Sequence, residues 1–196
     1  SEFHLNKTSE YFDHYVRTYT DMPFLVRLEE QDGKMVPSRF LRASDFDDSM
    51  GEANNPEWKT LCIDETTGNI IVPTGSIGFR WGEEGKWNIV PTDAKTGANI
   101  LPRKTLLGVH DEVKEVAFPY FANQEHEHGY FKTSQNDDVL LRNLPVKYIN
   151  LKGKEVAVVT VFDLMCANYG LAREGLNGAN VAFDYSENQP YTPKWQ

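Results

Sequence analysis

Residues 146–161, VKYINLKGKEVAVVTV, carry the reading that decides the fold. Two runs rich in β-branched residues, Val146–Leu151 and Glu155–Val161, flank Lys152-Gly153, where a glycine lets the chain reverse. A β-hairpin is expected here. Directly after it, Asp163 is expected to cap a short helix running to Tyr169, with Gly170 as its stop.

The first third mixes the same elements. Tyr11, Phe12, Tyr15, Val16 and Tyr19 fall at helical spacing, which predicts an amphipathic helix over Ser9–Thr20. Asp21 to Pro23 stops it, Phe24–Leu28 alternates as a strand, and Asp32-Gly33 signals a turn that returns the chain. Ala43–Met50 reads as a short helix capped by Ser44 and ended near Gly51. Thr60–Asp64 and Asn69–Pro73 flank Glu65-Thr66-Thr67-Gly68 as a second hairpin. No internal repeat is expected.

The centre reads differently. From Gly75 to about Asn143 regular signals are sparse, and Ser76–Asn88, SIGFRWGEEGKWN, sets Phe79, Trp81 and Trp87 among three glycines and a charged centre. Two tryptophans in a polar, glycine-rich loop need something larger than the loop to hold them. The expected class is therefore α+β, with short helices, β-hairpins and long ordered loops. Residues 1–74 hold helix and hairpins, 75–143 a loop-rich insert, and 144–196 a hairpin, a short helix and a C-terminal extension. The opening SEFHLNK resembles the tail of an apolar helix, and the closing YTPKWQ resembles a helix entry with Thr192 as cap and Pro193 following. The whole is expected to be a segment of a longer polypeptide.

Composition narrows the function. Of 196 residues 40% are hydrophobic and 25% charged, the profile of a folded chain and not a disordered one. The net charge of −9 argues against nucleic acid or an anionic membrane as the main partner, since phosphate recognition needs a cationic face. The apolar runs fall far short of membrane-spanning length. Cys62 and Cys166 each sit inside an apolar run and are expected to be buried, reduced thiols, which points to a reducing compartment.

Site chemistry is thin. His126 and His128 flank Glu127 beside Glu125, yet no third ligand follows at a defined spacing, so a solvated acidic loop is the better reading. His110 precedes Asp111-Glu112, while His4 and His14 lie near the first helix as surface groups. Cys166 lacks the electropositive, accessible setting that a reactive thiolate needs. Gly75, Gly78 and Gly82 lack the following helix of a phosphate-binding turn, and Ser76 is not in a strand–turn–helix elbow. The acidic pairs Glu29/Glu30, Asp47/Asp48, Glu83/Glu84 and Asp137/Asp138 sit in turns and polar loops, as solvated faces do. No catalytic, cofactor-binding or metal-binding residue is assigned from the residues alone.

A resemblance supplies what the residues do not. The blocks EFHLNKTSEYFDHYVRTYTDMPFLVRLEE, NNPEWKT, GSIGFRWGEEGKWN, EVAFPYF, LPVK, VFDLMCANYGL and YTPKWQ run in order from Glu2 to the C-terminus. They resemble the catalytic alpha subunit of respiratory (dissimilatory) nitrate reductase, in the molybdopterin oxidoreductase superfamily. YTDMPFLV and YTPKW are generic to that superfamily; the blocks around Pro56-Glu57-Trp58 and Ile77–Trp87 are similar to the nitrate reductase branch alone.

The resemblance implies a parent subunit that reduces nitrate to nitrite at a molybdenum bis(molybdopterin guanine dinucleotide) centre in anaerobic respiration. That subunit carries one 4Fe-4S cluster and receives electrons from an iron–sulfur beta subunit. A membrane gamma subunit completes the complex, which the family holds at the cytoplasmic face of the cell membrane. None of Asp13, Asp21, Asp163 or the five histidines matches the family's cluster or molybdenum ligands, which are expected upstream of Ser1. The implied role is an internal, non-catalytic structural segment that packs against the remainder of the alpha subunit or against the beta subunit. Exposed apolar side chains are then expected among Phe79, Trp81, Trp87, Phe118, Tyr120 and Phe121 in the segment by itself. The alternative is an independent, non-enzymatic binding module that uses the Trp81/Trp87 loop or a His126/His128 metal site.

Overall fold

The computed structural model of the chain describes residues 9–47, 59–74, 89–118, 140–171, 173, 175 and 176. In chain order, helix α1 (Glu10–Tyr19) precedes strands β1 (Leu25–Gln31) and β2 (Lys34–Phe40) and a single helical turn, α2 (Ala43–Phe46). Four two-residue strands follow: β3 (Cys62–Ile63), β4 (Ile70–Ile71), β5 (Pro73–Thr74) and β6 (Thr92–Asp93). The longer β7 (Glu112–Phe118), β8 (Leu140–Leu151) and β9 (Lys154–Thr160) lead into helix α3 (Val161–Asn168).

Five of these strands close into a barrel in the order β1-β2-β7-β8-β9, with β9 pairing back onto β1. Neighbours are antiparallel except β2 and β7, which meet in parallel at Met35 and Val116. The 12-residue β8 serves two partners. Its residues up to Val146 pair with β7, and Lys147–Leu151 pair with β9. Closure leaves the sheet without a free edge.

The hairpin at 146–161 forms as expected, and so does the β1–β2 hairpin. Asp32-Gly33 and Lys152-Gly153 both adopt positive φ at each turn residue, the left-handed pair that matches the twist of a two-residue hairpin. Asn150 Oδ1 secures the second turn by accepting from Gly153 N at 2.7 Å.

Side chains on the two faces of the barrel wall form separate clusters. Val26, Leu28, Val116, Phe118, Leu144, Val146, Ala157 and Val159, with Met35 alongside, draw on all five strands and so fill the interior; Ala167 of α3 joins them. The opposite face of β8 and β9, with Ile149, Leu151, Val156 and Val158, packs beneath Leu41, Leu61, Ile63, Val72 and Leu106. Strand β9 is thus buried on both faces, as its unbroken Val156-Ala157-Val158-Val159 run requires. Leu25, Leu41 and Leu61, all fully buried, link the barrel to the outer layer by a ring of backbone bonds. Leu25 N donates to Leu61 O, Leu61 N to Leu41 O, and Leu41 N to Leu25 O.

Several expectations need correction. β7 lies inside the span 75–143 that reads as poor in regular signals. Glu112 and Lys114 share a face with the buried Val116 and Phe118, so charge at the open rim breaks the apolar alternation. Phe118, expected to be exposed, is 9% exposed inside the barrel. α3 is capped by Thr160, whose hydroxyl accepts from Asp163 N, and not by Asp163 itself. α2 begins after Arg42, whose N–H donates to Asp45 Oδ2, so Ser44 lies inside the turn and does not cap it. α1 is capped by Ser9, whose hydroxyl accepts from Phe12 N.

The chain also contains a repeat. The pattern Trp-x5-Asp-x2-Thr-Gly-x2-Ile-x-Pro begins at Trp58 and again at Trp87, 29 positions on. Its two copies make the same hairpin. Asp64 N donates to Asn69 O as Asp93 N does to Ala98 O, and Thr67 and Thr96 each bond the aspartate of their own turn at 2.7 Å. The hairpins also grip each other reciprocally. Glu65 N donates to Leu101 O at 2.7 Å, and its equivalent Ala94 N donates to Val72 O, the equivalent of Leu101, at 2.8 Å. Asp64 pairs with Pro102 as Asp93 pairs with Pro73. An approximate two-fold axis relates the two copies.

The symmetry is imperfect at the aspartates. Asp64 is 4% exposed and also accepts from Leu101 N at 2.9 Å. Burial alone would raise its pKa, but the bonds from Thr67, Leu101 and Thr66 outweigh that and hold it below the ordinary 3.8. Asp64→Ala should lower the unfolding free energy by about 1–3 kcal/mol, by leaving buried donors unmet, and by more than Asp93→Ala does. Because the folded-state pKa is depressed, the Asp64 contribution is full above the ordinary value and drains away as pH falls through the folded one. Urea titrations across the acid range measure both effects; equal losses for the two variants would overturn the ranking.

Candidate functional site

Charge as well as packing docks α1. Val16 is fully buried against Phe162 and Cys166. The next residue, Arg17, bonds Asp13 Oδ2 at 2.6 Å, Glu65 Oε2 at 2.6 Å and the Pro102 carbonyl at 2.9 Å. Lys104 pairs with the other oxygen of Asp13 and lies 5.5 Å over the Phe162 ring. Burial works against the charges of Asp13 and Arg17. The partners overcome it, holding Asp13 below the usual carboxylate range and Arg17 above its ordinary value. Both stay ionised at neutral pH. A general acid or base needs a pKa moved toward neutrality, so this network is a clamp.

Two adjoining cavities flank the clamp. One, about 340 Å³, is lined by Tyr19, Phe24, Pro73, Ile89 and Pro102; the other, about 320 Å³, lies between His14 of α1 and Val90 and Leu101 of the second hairpin. In the second, Thr18 Oγ1 lies 3.5 Å from His14 Nδ1, an exposed contact within one turn of α1.

At the barrel rim, Tyr148 donates its hydroxyl proton to Glu112 and accepts from Lys114 Nζ at 2.6 Å, and Lys114 and Glu112 pair at 3.0 Å. The Tyr148 hydrogen bonds push Glu112 below and Lys114 above their ordinary values. The trio is half-buried at the rim, and Glu112 and Lys114 stay charged.

Among the described residues the most enclosed charged group is Asp163. It is fully buried and gathers Thr105 Oγ1 at 2.5 Å, Arg173 Nη1 at 2.6 Å, Leu106 N at 2.8 Å and Thr160 Oγ1 at 2.9 Å. Thr160-x-x-Asp163 is legible in sequence as a helix-start pattern. Its ties to Thr105 and Arg173 carry no local signal, so its role as a hub is invisible there. The Asp13–Arg17 pair has the helical spacing that could reveal it; its links to Glu65 and Lys104 do not.

The thiols are as expected. Cys62 and Cys166 are free and buried. Burial drives the Cys62 thiol far up and pushes Cys166 up to about 11. Neutral thiols in a two-residue strand and in a helix do not fit a four-thiolate iron–sulfur cluster. Among the described residues no group of His, Cys, Asp and Glu is placed to hold a metal ion. His14 is exposed, and His110 Nδ1 accepts from Gly108 N. His4, His126, His128, Phe79, Trp81, Trp87, Tyr120 and Phe121 lie outside the described residues. No described helix is long and apolar enough to cross a membrane.

These features define an α+β barrel scaffold whose described charged groups hold elements together. No family model matches the chain. It is 51% identical over 99% of its length to the respiratory nitrate reductase 1 alpha chain of Escherichia coli K12. Over its full length it is 40% identical to the nitrate reductase alpha chain of Bacillus subtilis and 37% to the alpha subunit of Mycobacterium tuberculosis H37Rv. The chain spans 15% of the length of each of these relatives. Along 99–100% of its own length the chain matches one stretch of these nitrate reductase alpha chains.

Asp163→Asn would leave the buried Arg173 without its counter-ion and should lower the unfolding free energy by about 3–5 kcal/mol. A loss under about 0.5 kcal/mol, the level of an exposed substitution, would remove Asp163 from its place as hub. With a thiol reagent at neutral pH, Cys62 and Cys166 should react only after unfolding; labelling of the native chain would contradict their burial.

Proposed function

We propose that this chain is an internal structural segment of the catalytic alpha subunit of a respiratory nitrate reductase. One observation carries the proposal: identity of 51% over 99% of the chain to a protein of whose length it covers 15%. In this reading the parent reduces nitrate to nitrite at a molybdenum bis(molybdopterin guanine dinucleotide) centre. That centre and the 4Fe-4S cluster are held by sequence outside the segment. The segment binds neither; its work is to present a rigid barrel to the rest of the alpha subunit. The beta and gamma subunits complete the complex at the cytoplasmic face of the membrane.

The test is to recover the protein from its native source. Tryptic peptides of this sequence should come from a polypeptide far heavier than 22.4 kDa that co-purifies with nitrate-reducing activity in the membrane fraction. The 196-residue chain alone should be inactive toward nitrate with an artificial reductant. A free 22.4 kDa chain in the native source would overturn the proposal.

A further inference from the structure

Helix α1 has one more apolar face than a surface helix needs. Phe12 and Val16 face the core with Phe162 and Cys166. Tyr11, Tyr15 and Tyr19, each four residues from the next, form a second row, and their exposures are 79%, 46% and 36%. Tyr11 stacks on Tyr15 with ring centroids 6.5 Å apart, and Tyr15 lies 5.8 Å from Tyr19. Tyr19, at the end of the row, accepts from Ile89 N at 3.3 Å, and next to Ile89 the exposed Val90 forms, with Leu101, the far wall of the 320 Å³ cleft.

A surface helix normally carries one apolar stripe. A contiguous exposed aromatic strip marks an interface, where tyrosine supplies large contact area with few rotamers to freeze and a hydroxyl that stays hydrogen-bonded. We infer that the Tyr11/Tyr15/Tyr19 face, with the Val90–Leu101 lip, is a docking surface for another part of the same alpha polypeptide. This rests on the reading of the chain as one segment of that subunit. The occupant follows from length: the segment is 15% of its relatives' chains, so the other 85% is the neighbour it is tethered to.

The experiment is chemical nitration of tyrosines, read by mass spectrometry, on the full-length alpha subunit alone and on the assembled complex. Tyr11 and Tyr15 should resist nitration in both and react once the alpha subunit is unfolded. Protection that appears only in the complex would overturn the inference and assign the face to a partner subunit. Reaction in both samples would overturn it as well. A Tyr15→Ala alpha subunit should lose the protection of Tyr11 while the circular dichroism of the barrel is kept; unchanged protection would also count against the interface. Failure of the underlying reading shows separately, as a free 22.4 kDa chain in the native source.

Discussion

Burial of β9 on both faces is the constraint from which the rest of the architecture follows. A strand reading Val-Ala-Val-Val cannot lie on a surface, so its inner face needs a barrel interior and its outer face needs a second layer. Pairing of Val158–Thr160 with Leu25–Arg27 supplies the first by closing the sheet. The hairpin pair supplies the second, placing Leu61, Ile63 and Val72 over Val156 and Val158. Each fully buried aliphatic side chain in these layers contributes about 1.5–3 kcal/mol against the entropy of ordering the chain.

Polar groups serve the same architecture. The Asp163 hub ties α3 to Thr105 and Arg173, and the Asp13–Arg17–Glu65 chain ties α1 to the first hairpin turn. Where a charge is deeply buried its partners are in contact, which is the condition under which such groups persist. Catalytic acids and bases differ from such groups, since their ionisations are pushed toward neutral pH and left available.

How much of this is legible in sequence depends on distance along the chain. The hairpins at Asp32-Gly33, Thr66-Thr67 and Lys152-Gly153 are local, and composition at the turn reveals them. The Ser9 cap and the inner face of α1 are local too. Barrel closure is not, because nothing near Leu25 marks Thr160 as its partner. β7 is obscured because its inward face is charged at the rim and apolar below it. The repeat is in plain view in the sequence but is spread over positions that share only turn and anchor residues. The reciprocal bonds between Glu65 and Leu101 and between Ala94 and Val72 give those positions their meaning.

The paired hairpins bear on the order of assembly. Each turn closes over a handful of residues, and hairpins of that kind form in roughly 1–10 μs. Docking one on the other spans only the offset between copies, whereas barrel closure must bring Leu25 to Thr160. Loop-closure entropy therefore favours the symmetric pair as the earlier-formed unit, a ready apolar plate onto which β8 and β9 can condense. Pulse-labelled amide exchange with Gly68 and Gly97 protected later than Val158 would reverse that order. On this view the duplication shortens the search: it gives a long-range fold a short-range starting point.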